Sequence, residues 1–167
     1  MNIYITTGTY DYLKRIVEKY PNEAIVTMVN GEDALLLHET NGETVFKEPR
    51  KYEVLDSSGE FTNAGFVVMN HIPVTDEGRP LFEHQFKNRP RKVDNEPGFI
   101  ANRVLRPLSS NTYIILTVWD KEISFENWKN SAAFPLSHGK PALEKGMDEQ
   151  PQIFASKSYV RKYTISE

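Results

Sequence analysis

Between Phe125 and His138 the chain carries residue types that could hold a planar cofactor. Phe125, Trp128, Ala132 and Phe134 recur at roughly helical spacing, so one or two short helices would present them along a single face. His138 lies beyond Phe134 by about one further turn if the helix resumes after Pro135. An apolar aromatic wall ending in an imidazole is the chemistry a buried iron porphyrin needs: the wall sandwiches the macrocycle and the neutral ring nitrogen ligates the metal. By residue type alone, a histidine beside a tryptophan-bearing helix is more often a capping or hydrogen-bonded group. Both readings stand at this point.

A second polar group sits in an apolar setting. Phe66–Ile72 reads as a strand with Phe66, Val68, Asn70 and Ile72 on one face and Val67, Met69 and His71 on the other. A strand apolar on both faces is covered on both faces. Asn70 then needs a hydrogen-bonding partner, and a backbone partner, a bulge or a strand end would each supply one.

The elements that must position these groups follow from patterning. Residues 3–7 alternate as a strand, and Tyr10, Leu13, Ile16, Val17 and Tyr20 share one helical face that Pro21–Asn22 ends. Ala24–Val29 and Ala34–His38 flank the hairpin dipeptide Asn30–Gly31. Val45–Lys47 and Lys51–Leu55 suggest one or two closing strands, giving β-α-β-β-β. His38 is expected as a surface or strand-end histidine. Asp56–Glu60 is polar and small, the best candidate linker, so residues 1–60 and 61–167 are expected as two domains.

The second half reads β-α-β-β-α-β. Phe66–Ile72 is followed by a helix to about Arg89 with Leu81, Phe82 and Phe86 inward and His84 on a solvated side. The strands Phe99–Leu105 and Tyr113–Trp119 come next, then the aromatic helical stretch, a polar loop at 139–150 and a last strand over Ile153–Ile165.

Composition narrows the function. A hydrophobic fraction of 39% and a charged fraction of 26% are those of a globular protein. The net charge of −3, with no basic patch interleaved with aromatics, argues against nucleic acid as a partner. There are no cysteines, which excludes disulfides, thiolate heme ligation, iron–sulfur clusters and a cysteine nucleophile. Neither a signal peptide nor an apolar run of membrane-crossing length is visible, so no membrane association and a cytoplasmic location are the expectation.

Taken together, Tyr113–Trp119, Ser124–Trp128 and Phe134–His138 resemble the IsdG-type heme-degrading monooxygenases of the antibiotic biosynthesis monooxygenase (ABM) superfamily, which are dimeric α+β barrels. Trp128, Phe134 and His138 match that family's Trp/Phe/His spacing without a gap, and Phe66 with Asn70 matches its F-x-x-x-N strand. The resemblance runs from about Gly65 to the C-terminus, which points to the two-domain HmoB type. It implies that heme is both cofactor and substrate, with O2 and an external electron donor, either a reductase or a small-molecule reductant. His138 would be the axial iron ligand. Asn70 would donate a hydrogen bond on the distal side of the ring, and Trp128 would press the macrocycle out of plane. Phe66, Phe125 and Phe134 would line the pocket; Lys140 and Lys145 are near in sequence to where propionates would lie, but each reads first as a solvated loop charge. The products implied are free iron and an opened tetrapyrrole.

The fold expected is therefore α+β, a ferredoxin-like ABM barrel. Because the N-terminal unit resembles the start of a second half-barrel, it is expected to stand in for the partner chain. That gives a monomeric pseudo-dimer with one heme site. Two other readings remain open: a cofactor-independent quinol monooxygenase, and a carrier or sensor that holds heme without degrading it.

Overall fold

The computed structural model describes residues 1–31, 33–87, 92–130 and 153–166. The strands are β1 (Asn2–Gly8), β2 (Ile25–Asn30), β3 (Asp33–Thr40), β4 (Arg50–Ser58), β5 (Gly65–Pro73), β6 (Phe99–Pro107), β7 (Thr112–Trp119) and β8 (Tyr159–Ser166). The helices are α1 (Tyr10–Lys19), α2 (Arg79–Lys87) and α3 (Glu122–Lys129). All the strands join one closed barrel in the order β1-β3-β2-β8-β5-β7-β6-β4.

That circle contains the same arrangement twice. β4-β1-β3-β2 and β8-β5-β7-β6 each place the last and first strands of their half side by side. Thr27–Val29 of β2 pair with β8, and Tyr52–Ser58 of β4 pair with β6, so each half closes the other. Closure within one chain leaves the sheet no free edge. This is the expected ferredoxin-like α+β barrel, built as a pseudo-dimer from a single chain.

Alternation along the strands divides the side chains. Ile3, Ile5, Leu35, Leu37, Val67, Met69, Leu105, Ile114, Leu116 and Val118 fill the barrel interior. The opposite faces pack under the helices. Leu13 of α1, 0% exposed, lies with Ala34 and Leu36, and Thr9 starts that helix by accepting a hydrogen bond from the Tyr12 amide. Phe82 of α2 packs on Ile72, Val74 and Tyr113. Leu81, expected inward, is 36% exposed, because it lies one position round the helix from the buried Phe82. The Phe86 side chain is outside the description.

Two expectations for the first half are corrected, and a third, one or two closing strands, is narrowed to one. The candidate linker Asp56–Glu60 is largely strand: β4 runs to Ser58, with Asp56, Ser57 and Ser58 paired to Val104, Arg103 and Asn102. The backbone ladder to β6, absent from any local pattern, holds this polar stretch extended. The chain turns at Gly59, φ +70°, where a Cβ would sit 1.9 Å from the Ile100 carbonyl oxygen, so only glycine allows the approach. Val45–Lys47 forms no strand; Phe46 instead inserts into the cluster under α1. His38 is no surface residue. It is 0% exposed, with Nδ1 3.1 Å from Thr44 Oγ1, Nε2 3.0 Å from Glu23 Oε2, and the Phe46 ring 5.6 Å away.

One end of the barrel interior is sealed by charge. Arg103, 4% exposed, donates from Nε to Glu39 Oε2 at 2.6 Å and from a terminal nitrogen to Glu39 Oε1 at 3.3 Å, and lies 5.0 Å above the Phe61 ring. The other end is open.

Candidate functional site

Helix α3 is docked by its first turn. Gly98, at φ +84°, receives the Asp120 amide on its carbonyl at 2.8 Å. A Cβ at Gly98 would strike Ser124 Oγ at 2.3 Å, and the Ser124 hydroxyl donates to Asp120 Oδ1. The helix therefore sits tight on the start of β6. It turns Phe125 and Trp128, 6% and 3% exposed, onto the outer face of β5 and β7. There Trp128 lies 5.4 Å from Trp119 and 6.2 Å from Phe125, and Phe125 lies 6.2 Å from Phe66. Trp119 Nε1 donates to Thr117 Oγ1 at 3.0 Å, satisfying the buried indole.

Asn70 lies on the same outer face, in register with Ile115 of β7 and Val160 of β8. It is half-buried, and Val160 is 53% exposed, so this part of the face is less covered than the aromatic cluster beside it. Lys162, two residues along β8 and paired with Val68, reaches over the cluster. Its Nζ lies 5.7 Å from the centre of the Phe125 ring and 3.5 Å from Glu126 Oε1. An amide, an apolar floor and a cation thus share the sheet face bordered by α3 and β8.

Phe66, Asn70, Phe125 and Trp128 are thereby brought to one side of one sheet. Phe134, His138, Lys140 and Lys145 lie outside the described residues. The segment that carries them leaves from Asn130, at the end of α3, and returns at Ile153, which packs with Val74 and Phe82. The other histidines lie elsewhere: His38 is held under α1, His71 points into the barrel interior, and His84 is exposed on α2. Among the described residues no group of three His, Cys, Asp or Glu could hold a metal ion. The described part of this face is an apolar wall with a single half-buried amide, its aromatic side chains packed on one another.

Two residues here were not singled out in the sequence. Trp119 is fully buried and forms the floor of the cluster, and its signal was the alternation of Tyr113–Trp119. Lys162 was hidden because its placement depends on the β5–β8 register, although its alternation with Val160 and Thr164 marked one strand face.

No helix among the described residues is long and apolar enough to cross a membrane. Residues 65–138 match the antibiotic biosynthesis monooxygenase family, a stretch that spans Asn70, Trp128 and His138. The chain is 33% identical over 135 residues to a heme-degrading monooxygenase of Listeria monocytogenes, covering 81% of this chain and 79% of that protein. It is also 30% identical over 161 residues to the signal transduction protein TRAP of Staphylococcus aureus, covering 96% of this chain and 95% of the relative. Among solved structures, a major regulator of staphylococcal pathogenesis superposes with a TM-score of 0.85 at 28% identity, over 99% of this chain and 98% of the other. With the barrel and its outer aromatic face described, these likenesses place the chain in the antibiotic biosynthesis monooxygenase family.

Proposed function

We propose that this protein is a heme-degrading monooxygenase whose site is the outer face of β5 and β7 beneath α3. The observation that carries this reading is Asn70: a half-buried amide in an otherwise apolar strand row, on the sheet face that Phe66 shares with Phe125 and Trp128. A ligand would give that amide the hydrogen-bond partner that an apolar row does not. Likeness to the Listeria heme-degrading enzyme supports the assignment.

Bound heme supplies both the iron at which O2 is activated and the carbon ring that is oxidised, with electrons from an external reductant. His138, as a neutral imidazole, would ligate the iron. Phe66, Phe125 and Trp128 would form the apolar wall that holds the ring and excludes water, with Trp128 its bulkiest contact. Asn70 Nδ2 would donate a hydrogen bond to negative charge developing beside the sheet, from a backbone position that the strand fixes. Lys162, 41% exposed, can exchange Glu126 for a propionate.

A second reading is a signalling or heme-sensing protein without turnover, favoured by the near full-length likeness to TRAP. A cofactor-independent quinol monooxygenase is the third. Hemin, ascorbate and O2 separate them. Degradation predicts a Soret band that forms and then decays with release of iron. A stable band assigns a sensor or carrier. No band leaves the cofactor-independent chemistry.

A further inference from the structure

The open end of the barrel holds a cavity of about 540 Å³, on the opposite side of β5 from the aromatic face. Its lining comes from both halves of the chain: Ile5 and Thr7 of β1, Leu35 of β3, Arg50 and Tyr52 of β4, Met69 and His71 of β5, and Tyr159, Arg161 and Tyr163 of β8. The volume is that of a small-molecule site.

Its chemistry is specific. His71 is 6% exposed, and its Nε2 is buried with no hydrogen-bond partner among the described residues. Buried polar atoms in folded proteins are almost always paired, so this one points to a group that arrives from outside. The imidazole stacks face to face on Tyr159, its cross-strand neighbour, with centroids 4.7 Å apart and planes 3° from parallel, so the pair forms a two-ring stack in the cavity wall. Arg50 and Arg161 are exposed at the rim, and the Arg161 guanidinium lies 5.5 Å from the centre of the Tyr159 ring. Asp33 is the one carboxylate among the described lining residues, beside two arginines. Burial, with Arg161 and Arg50 nearby, pushes the His71 imidazole down to about 4. It is therefore neutral at physiological pH and able to exchange a hydrogen bond with a hydroxyl. At the opposite end of the same barrel Arg103 is instead matched by Glu39.

We propose that this cavity is a second binding site, for a small aromatic carboxylate bearing a hydroxyl group. The ring lies against the His71–Tyr159 stack, the carboxylate pairs with Arg50 and Arg161, and the hydroxyl meets His71 Nε2. The site draws on neither Asn70 nor Trp128 and stands whether or not the outer face degrades heme.

Calorimetry on the full chain tests it, with 4-hydroxybenzoate as the probe and 4-hydroxybenzamide and inorganic phosphate as controls. The acid should bind saturably. The amide, the phosphate, and the acid offered to the double variant Arg50→Gln/Arg161→Gln should each bind at least about tenfold more weakly. Both arginines are exposed, and thermal unfolding will confirm that the variant is folded. The imidazole resonances of His71 should shift on binding while those of His38 and His84 stay fixed. Absence of saturable binding, equal binding of the amide or of phosphate, full affinity in the double variant, or a shift elsewhere than His71 would each overturn the proposal.

Discussion

Asn70 and His71 are neighbours on β5 that face opposite sides of the barrel wall. Asn70 shares the outer face with Phe66 and Val68, which pack against Phe125 and Trp128. His71 enters the interior and stacks on Tyr159. One strand thus supplies a polar group to each of two separate environments, and the two can be perturbed independently.

Replacing Asn70 by alanine should leave hemin affinity within a few-fold of wild type, because apolar burial and iron–imidazole ligation dominate binding. Turnover should fall by a factor of order 100, since one well-placed donor is worth roughly 3 kcal/mol when charge develops. Single-turnover decay of the Soret band under ascorbate measures it. Wild-type decay in Asn70→Ala would remove the residue from the mechanism.

The His71 imidazole is pushed from its ordinary value down to about 4, chiefly by burial and then by Arg161 and Arg50. The unfolded chain therefore takes up a proton near pH 6.5 that the folded chain refuses. Stability from this group is complete above pH 6.5 and declines as pH falls towards 4, by up to about 3 kcal/mol. Urea unfolding of His71→Phe, which keeps the ring on Tyr159, should show a flatter pH dependence across that window. An unchanged slope would mean that His71 titrates normally.

Much of the site was legible locally, and what was missed shares a cause. The alternation of Phe66–Ile72 assigned Asn70 and His71 to opposite faces, and the spacing of Phe125 and Trp128 put both on one side of α3. Those are short-range facts. His38 looked like a strand-end residue because its partners, Glu23 and Thr44, are brought to it by the fold. Asp56–Ser58 looked like a linker because the ladder that extends it belongs to β6. The lining of the open end, drawn from β1, β3, β4, β5, β7 and β8, exists only once the barrel closes.

At the sealed end, Glu39→Ala should destabilise the fold by about 3 kcal/mol, because Arg103 is left charged and buried with only carbonyl partners. The urea midpoint should drop while the slope of the transition holds. A loss under about 1 kcal/mol would mean that water reaches the guanidinium.

Because the barrel closes within one chain, solution mass by light scattering should be near 19.2 kDa. A dimer would imply that a surface other than the sheet edges is the interface.

The central claim, one heme site on the outer face of the C-terminal half, is tested most directly by titrating hemin into wild type, His138→Ala and His71→Ala. The corresponding face of the N-terminal half is filled by His38 and Phe46, so wild type should saturate at one hemin per chain. His71→Ala should match wild type, and His138→Ala should lose the Soret band while keeping its circular dichroism. A Soret band retained in His138→Ala, or lost in His71→Ala, would contradict the account.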